Sequence, residues 1–306
     1  MKHSYYEAHA RQRLYGLLDA GSFKELLPPA ARATSPHLPL LDTPVAVDDG
    51  VIVGEGLLAG RPVLAASQEG GFMGGAVGEV HGAKLTGLFE RAIDRATGRT
   101  TGRTTDPRPA AVLLLLESGG VRLHEANAGL IAVSETMRAL LDARAAGITV
   151  IGLIGSSVGC FGGMGLVASC CDTLVMSEEG RLGMSGPEVI ETAHGVEEFD
   201  SRDRALVWRT TGGKHRYLCG DASVIVEDDI GAFREAAIAA LDRKRPLTLE
   251  TLAAEQAILE TRLERFGKSH DALDVWRALG VEAPEGIALL DRDAFVEAAS
   301  KARIEA

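Results

Sequence analysis

Short apolar runs alternate with longer amphipathic stretches through the middle of the chain. The runs hardly alternate between polar and apolar positions, which is typical of strands that are covered on both faces. They occupy residues 111–116, 148–154 and 173–176. Strand, glycine turn and helix recur over 62–95, 111–146 and 148–171. This alternation predicts an α/β architecture with layered sheets.

The two ends of the chain depart from this repeat. Residues 4–20 predict a helix that ends at Gly21, and 28–44 form a proline-rich connecting arm. Short runs broken by turn residues predict two or three strands over 45–67, and the chain after 228 is mostly helical. We expect one continuous domain, made of an N-terminal helix and arm (1–44), a core (45–230) and a helical C-terminal extension (231–306).

Two glycine pairs share one design, because each follows a buried strand and stands at the start of a helix. The pairs are Gly119-Gly120 and Gly162-Gly163. Glycines there let main-chain N–H groups approach a ligand closely, and the unpaired donors and helix dipole favour negative charge. Two such turns on neighbouring strands could stabilise an enolate or tetrahedral oxyanion. The alternative is that the pairs only permit tight turns and close packing.

Residues 155–159, Gly-Ser-Ser-Val-Gly, match the G-x-S-x-G nucleophile elbow of α/β-hydrolases directly after a buried strand. Ser157 would then be the nucleophile. The formal candidates for its acid and histidine are Asp172, Asp200 or Asp221 and His194, His215 or His270. An elbow should turn straight into its helix, however, and residues 160–163 intervene here. We therefore favour Ser157 as a small residue in a small-residue turn.

Charged residues near the glycine pairs are further candidates. His124 and Glu125 follow the first pair as acid–base or substrate-positioning groups, although Glu125 would also favour the dipole of a solvated first helical turn. A duplicated TGRT at 97–104 predicts an exposed, arginine-rich loop. The arginines around it could receive phosphates of a nucleotide-like or phosphopantetheine group, or simply face solvent. They are Arg95, Arg99, Arg103 and Arg108.

Composition narrows the function classes. The net charge of −11 argues against general nucleic-acid affinity, because phosphate binding needs a basic face. The four cysteines form no C-x-x-C pair, and no metal-ligand spacing is present, so no metal is expected. Neither a secretory segment nor an apolar run of the roughly 18 residues needed to span a membrane is found. We expect a soluble cytoplasmic protein with reduced thiols and no nucleic-acid or membrane partner.

Three ordered motifs resemble the carboxyltransferase branch of the crotonase superfamily. Residues 118–125, SGGVRLHE, resemble its S-G-G-A-R-x-x-E signature, and 72–79, FMGGAVGE, resemble its F-M-G-G-S-M-G element. Residues 151–191, with GCFGGMGL and GPEVIE, resemble its second oxyanion loop, helix, strand and hairpin. The N-terminal segment SYYEAHARQRLYGLLDAGSF is most similar to β subunits of biotin-independent malonate decarboxylases.

The resemblance implies a crotonase-like ββα spiral and an active site shared with a homologous γ subunit. The substrate would be a malonyl thioester, decarboxylated to an acetyl thioester and CO₂ through an enolate. The implied oxyanion donors are the N–H groups of Gly119, Gly120, Val121, Gly162 and Gly163. We assign substrate binding to Gly74, Gly75, Ser118, His124, Glu125, Arg99 and Arg103.

The same resemblance sets the expected cofactors and partners. The substrate would be carried by the CoA-like phosphopantetheine group of an acyl carrier protein, which is loaded by an ACP-transferase α subunit. This chain itself would bind no cofactor, biotin or metal. The zinc ribbon that often precedes this domain in acetyl-CoA carboxylases is lacking, and residues 156–161 differ from the threonine-rich approach of the biotin-dependent enzymes.

Three other functions stay open from the sequence. The first is a carboxyltransferase subunit of a biotin-dependent acyl-CoA carboxylase or decarboxylase. The second is the serine hydrolase with Ser157 as its nucleophile. The third is a non-enzymatic scaffold whose glycine turns only pack against a partner.

Overall fold

The computed structural model of the 306-residue chain describes residues 3–42, 50–99, 107–269 and 271–304. Within these residues lies one seven-stranded sheet. Its strands are β1 Lys24–Leu26, β2 Val51–Leu58, β3 Arg61–Gln68, β4 Ala111–Leu115, β5 Thr149–Ile154, β6 Thr173–Ser177 and β7 Val224–Val226. The helices are α1 Ala10–Leu17, α2 Glu79–Thr97, α3 Ala128–Ala145, α4 Gly163–Ser169, α5 Pro187–His194, α6 Arg204–Thr211, α7 Gly213–Leu218, α8 Ile230–Ala240, α9 Leu249–Phe266, α10 Ala272–Ala278 and α11 Arg292–Ala299.

The strands follow one another across the sheet in chain order. β1, β2 and β3 pair antiparallel, whereas β3 to β7 are all parallel. A tight turn at Ala59 and Gly60 joins β2 to β3, and both N–H groups donate to the Asp19 carboxylate. The predicted hairpin is confirmed, although residues 43–49 lie outside the described part. The parallel strands end at one common edge, where the turns after β3, β4 and β5 meet.

A second, smaller layer lies beyond that edge. The segments after the parallel strands pair with one another through single parallel bridges, Val77 with Val121, Ser118 with Cys160 and Cys160 with Leu182. Each repeat therefore contributes a long strand to the sheet and a short extended piece to the second layer, and then a helix. This is the ββα unit that the motifs predicted.

Helices cover both faces of the sheet. α2, α3 and α4 pack over one core, which contains Phe89 and Met164, and α1 and α8 pack over the other, which contains Leu14 and Phe233. Burial on both faces explains why the parallel strands are almost uniformly apolar. The predicted α/β class is confirmed.

The N-terminal helix is shorter than the predicted 4–20. α1 begins at Ala10, because the Asp228 carboxylate accepts hydrogen bonds from Ser4 Oγ at 2.6 Å and Tyr6 N at 2.8 Å. These contacts hold the preceding residues in turns. Gln12 then reaches back to the N–H of His9 and caps the helix.

The C-terminal segment is helical, as predicted. Its first helix, α8, packs on the sheet and on α1, within the core. A third apolar cluster joins β7 and α7 to α10 and α11 around Trp276 and Phe295. None of the α9 residues is buried. The domain boundaries at 44 and 230 stay a prediction.

Candidate active site

The two predicted glycine turns lie side by side. A Cβ on Gly162 would stand 3.2 Å from the Cα of Gly120. The Ser118 main chain binds the second turn on both sides, since its N–H donates to Gly159 O and its carbonyl accepts from Phe161 N, each at 2.8 Å. The second layer thus brings together residues more than forty positions apart in the chain.

The main-chain donors at these turns are not equally available. The N–H of Gly119 donates to Gly74 O at 2.9 Å, and that of Gly162 donates to Met184 O at 3.0 Å. Both donors are therefore used inside the chain. The N–H of Gly120 makes one long contact, 3.3 Å to Ser118 Oγ.

Of the five predicted donors, two N–H groups are left for a ligand, those of Val121 and Gly163. Neither has a hydrogen-bond acceptor among the residues that the structure describes. Gly163 is the first residue of α4, where the helix dipole adds to the donor. Each of these N–H groups can therefore donate a hydrogen bond to a negatively charged oxygen.

A third glycine turn packs against the first. Met73, Gly74 and Gly75 all have positive φ values, 52°, 65° and 68°, which is costly for methionine. A side chain on Gly75 would overlap the carbonyl oxygen of Glu117, so only glycine fits there. Gly74 and Gly75 thus contact the first turn itself, and their role in substrate binding stays a prediction.

Glu125 is buried and fully engaged. Its Oε2 accepts the N–H of Glu79 at 2.7 Å, at the start of α2, and its Oε1 accepts Arg122 Nη1 at 3.1 Å. Arg122 Nε donates to Ala76 O at 2.9 Å. The Arg–Glu pair of the motif therefore fastens the first turn to α2. His124 is partly exposed, with Nε2 3.9 Å from Glu125 Oε1.

Ser157 does not have the geometry of a nucleophile elbow. Its φ is not positive, and α4 begins only six residues later, at Gly163. Its Oγ lies 3.4 Å from Glu117 Oε1, a long contact. His215 is engaged elsewhere, since its Nδ1 accepts from Trp276 Nε1 at 3.1 Å. His194 is exposed at the end of α5, and His270 lies outside the described residues.

The structure does not bring Arg99 to the glycine turns. Arg99 follows the last turn of α2, whereas the site adjoins the first, and 19 helical residues span about 28 Å. Arg95 pairs with Glu55, and Arg108 donates to the carbonyls of Ala146 and Gly147. Arg103 lies in 100–106, outside the described residues.

Glu117 and Arg13 were not among the site residues predicted from the sequence. Arg13 Nη1 donates to Glu117 Oε2 at 2.6 Å, and both side chains are buried. The available signal was a charged residue directly after the apolar strand 111–116 and before Ser118. Its partner is 104 residues away in the chain, beyond the reach of pattern reasoning.

An apolar cleft of about 730 Å³ opens beside the site, between the segment Leu38–Leu41 and the first halves of α2 and α3. Small residues such as Gly82 and Ala132 line it, and its rim is acidic. The glycine turns do not line it. The acidic rim makes it a poor site for phosphate.

The described residues contain no group of three His, Cys, Asp or Glu side chains that could hold a metal ion. Burial raises the pKa of the Cys160 and Cys171 thiols. Within the same residues, no helix is both long and apolar enough to cross a membrane.

Comparison with known proteins shows which family the chain is similar to. Residues 2–251 match the family model of the carboxyl transferase domain. The chain is 43% identical to the malonyl-S-ACP:biotin-protein carboxyltransferase MADC of Malonomonas rubra, over 97% of this chain and 96% of that protein. It is 30% identical to the methylmalonyl-CoA carboxyltransferase 12S subunit of Propionibacterium freudenreichii subsp. shermanii, over 76% and 40% respectively.

Solved structures point to the same family. A crystal structure of a Pseudomonas malonate decarboxylase hetero-tetramer with malonate superposes with a TM-score of 0.79 and 40% identity, covering 90% of this chain and 97% of that one. The Pseudomonas MdcD-MdcE hetero-dimer gives 0.65 and 38%, over 84% and 96%. The predicted crotonase-like fold and carboxyltransferase resemblance are confirmed. The chain belongs to the carboxyl transferase family of enzymes.

Proposed function

We propose that this chain is the carboxyltransferase-type β subunit of a malonate decarboxylase, acting on a malonyl thioester. The bond between the substrate's Cα and its carboxylate carbon breaks, CO₂ leaves, and the bonding electrons move into an enolate. A proton then adds to Cα and gives the acetyl thioester. The chain's task is to stabilise the charge that develops on the thioester oxygen.

The observation that carries the proposal is the pair of unused donors, the N–H groups of Val121 and Gly163, on adjacent turns. Preorganised donors aimed at a developing oxyanion are commonly the largest single contribution to catalysis. Removing one such donor typically costs about 2.7–4 kcal/mol of transition-state stabilisation. The N–H of Gly120 can donate a third hydrogen bond to the thioester oxygen once its 3.3 Å contact with Ser118 Oγ is broken.

The surface around the turns supports a partner subunit. Large apolar side chains stand exposed beside each turn, with Met73 in the third turn, Leu123 after the first and Met184 next to Gly162. Clustered exposed apolar residues mark interaction sites, because water would otherwise be left against them. A homologous γ subunit that covers them would close the site and exclude water, which strengthens the oxyanion contacts.

The carrier is proposed on the same basis. An acyl carrier protein with a phosphopantetheine arm would deliver the malonyl group, and an ACP-transferase α subunit would load it. The relatives with 38–43% identity are malonate decarboxylase proteins and a malonyl-S-ACP carboxyltransferase, which supports this substrate class. Arg103 stays a candidate for the phosphate of that arm.

The test is reconstitution of the chain with its γ subunit and a malonyl-loaded acyl carrier protein. We expect CO₂ and acetyl thioester in equal amounts, without added biotin. Gly163→Leu should abolish release, because its Cβ would already come within 2.7 Å of the Val133 methyl groups. Full activity of Gly163→Leu would refute the role of this turn.

A second candidate is carboxyl transfer to a biotin protein, the reaction named in the M. rubra relative. The same enolate forms, but the carboxyl group would pass to a biotin nitrogen. Adding a biotinylated carrier protein to the reconstituted set separates the two. Label from malonyl carboxylate should appear as free CO₂ under the first proposal and as carboxybiotin under the second.

A further inference from the structure

The carboxylate of Glu117 connects the segments that follow three neighbouring strands. Glu117, directly behind the first glycine turn, accepts the Gly70 N–H at 3.1 Å, the Val158 N–H at 3.3 Å and Ser157 Oγ at 3.4 Å. These donors belong to the turns that follow β3 and β5, while Glu117 itself follows β4. A single buried side chain thus joins two of the glycine-rich segments of the site to the third, to which it belongs.

The space around this carboxylate is closely fitted. A Cβ on Gly70 would fall 2.5 Å from the Glu117 carboxyl carbon, so that a side chain there would displace it. The Glu117 N–H donates to Gln68 Oε1 at 2.9 Å, within β3. The main chain of Gly70 on one side and of Val158 on the other therefore fixes the position of the carboxylate.

Arg13 supplies the opposite charge from the other face of the sheet. It belongs to α1, and its Nη1 donates to Glu117 Oε2 at 2.6 Å, while its Nε donates to Tyr5 O at 3.1 Å. The two side chains are 2% and 3% exposed. An unpaired carboxylate beneath an oxyanion would oppose the enolate, since charges interact strongly where water is excluded.

The contacts lead from this pair to the free donors. Val158 precedes Gly159, whose carbonyl accepts the Ser118 N–H, and the Ser118 carbonyl accepts the N–H of Phe161. Ser118 and Phe161 begin the two segments that carry Val121 and Gly163. Movement of the Glu117 carboxylate would thus be transmitted to both turns.

We propose that Glu117 and Arg13 are positioning residues of the oxyanion site. The carboxylate holds the three turns in register, and the guanidinium neutralises it so that it does not oppose enolate formation. This inference rests on the proposed decarboxylation. It assigns α1, remote from the turns in the chain, a part in their geometry.

The test is Glu117→Gln, together with the neutral pair Arg13→Met/Glu117→Gln in case the single variant folds poorly. In the reconstituted complex we expect both to lower kcat per folded molecule at least about tenfold, with KM within about twofold. Weaker stabilisation in the transition state alone has this signature. Unchanged kcat in both variants would overturn the proposal.

A matched control is the buried pair of Arg144 and Asp172, 3.0 Å apart. Asp172 also accepts the Val150 N–H at the start of β5, at the sheet edge opposite the turns. Asp172→Asn and Arg144→Met/Asp172→Asn should keep kcat within about twofold. An equal fall in kcat would show that any broken buried pair has this effect and would overturn the positioning role.

A second readout does not need the reaction. Amide hydrogen exchange in 118–123 and 155–163 should rise in Glu117→Gln and stay at the wild-type level in Asp172→Asn. If the wild-type complex releases no CO₂ while exchange behaves as expected, the proposed function fails and the anchoring of the turns stands. Unaltered exchange in Glu117→Gln would refute the anchoring itself.

Discussion

Gly162 faces Gly120 so closely that a Cβ on Gly162 would stand 3.2 Å from the Gly120 Cα. Gly162 also adopts φ 62° and ψ −137°, a region that side-chain-bearing residues rarely enter. Its conformation turns the chain into α4 and presents the N–H of Gly163. Two independent constraints therefore require glycine at position 162.

Gly162→Ala should lower kcat at least about a hundredfold, because the Gly163 donor would shift, and removing one oxyanion donor costs 10²–10³ in kcat. It should also lower the free energy of unfolding by about 1–3 kcal/mol through backbone strain. CO₂ release and urea unfolding measure the two effects. Gly286→Ala is the control, since its Cβ would meet no described atom within 4 Å. Comparable losses in both variants would contradict this reading.

Ser157→Ala should keep most of the activity. Its Oγ makes only a long contact to Glu117 Oε1, and the Val158 N–H still binds that oxygen, so the loss of the hydroxyl removes neither an oxyanion donor nor the anchor of the turn. We expect kcat within about threefold of wild type and no labelling of wild-type Ser157 by a fluorophosphonate probe, given that its turn lacks the strained elbow geometry. Stoichiometric labelling, lost in Ser157→Ala, would restore the hydrolase reading.

Leu123→Asp should weaken binding of the γ subunit about tenfold or more. The side chain is 84% exposed in the isolated chain and stands beside the first turn, so a carboxylate there would have to be buried on association. Titration calorimetry gives the dissociation constant. Leu289→Asp, 89% exposed in the C-terminal segment, should bind normally. Equal weakening would argue against an interface at the turns.

The free energy of unfolding should decrease as the pH is lowered from 6.5, because of His215. Desolvation of the ring, together with the nearby Arg216, lowers its pKa from 6.5 to about 3. Between these values the unfolded chain binds a proton that the folded chain does not, so His215 favours unfolding by up to about 1.4 kcal/mol per pH unit as the pH falls. Its contribution is fully present above pH 6.5.

Unfolding free energies at pH 7.5, 6 and 5 test this linkage. His215→Gln keeps an acceptor for Trp276 Nε1 but does not titrate. Its free energy of unfolding should therefore fall less steeply as the pH is lowered, by about 1.4 kcal/mol per pH unit, which corresponds to one proton. Parallel curves for the two proteins would show that His215 is not the group responsible.

Local pattern was sufficient for the parallel strands and for the helices between them, except that α3 begins at Ala128, eight residues after the first glycine pair, and not at the pair itself. The run at 111–116 became β4 at 111–115, and the strand and helix predicted over 62–95 became β3 at 61–68 and α2 at 79–97. Strands buried on both faces and helices bounded by glycine carry their signal within their own residues. The three motifs also pointed to the family that the comparisons establish.

Local pattern was not sufficient where a distant group changes the outcome. The helix predicted over 4–20 begins at Ala10 because Asp228 binds the residues before it. Glu125, a candidate for substrate binding, accepts the Glu79 N–H at the start of α2, which the sequence did not indicate. The sequence alone does not show whether a carboxylate is available to a ligand, because the fold can place a hydrogen-bond donor of the same chain next to it.

The sequence by itself thus determined the order of the elements, the glycine turns and the family. Which donors stay unused was decided only by the tertiary structure, since Gly74 and Met184 occupy the N–H groups of Gly119 and Gly162. The buried pair of Arg13 and Glu117 has the same origin. The physical reason is that hydrogen bonding at a turn depends on acceptors from other segments of the chain. The local sequence pattern does not show which segments the fold brings close.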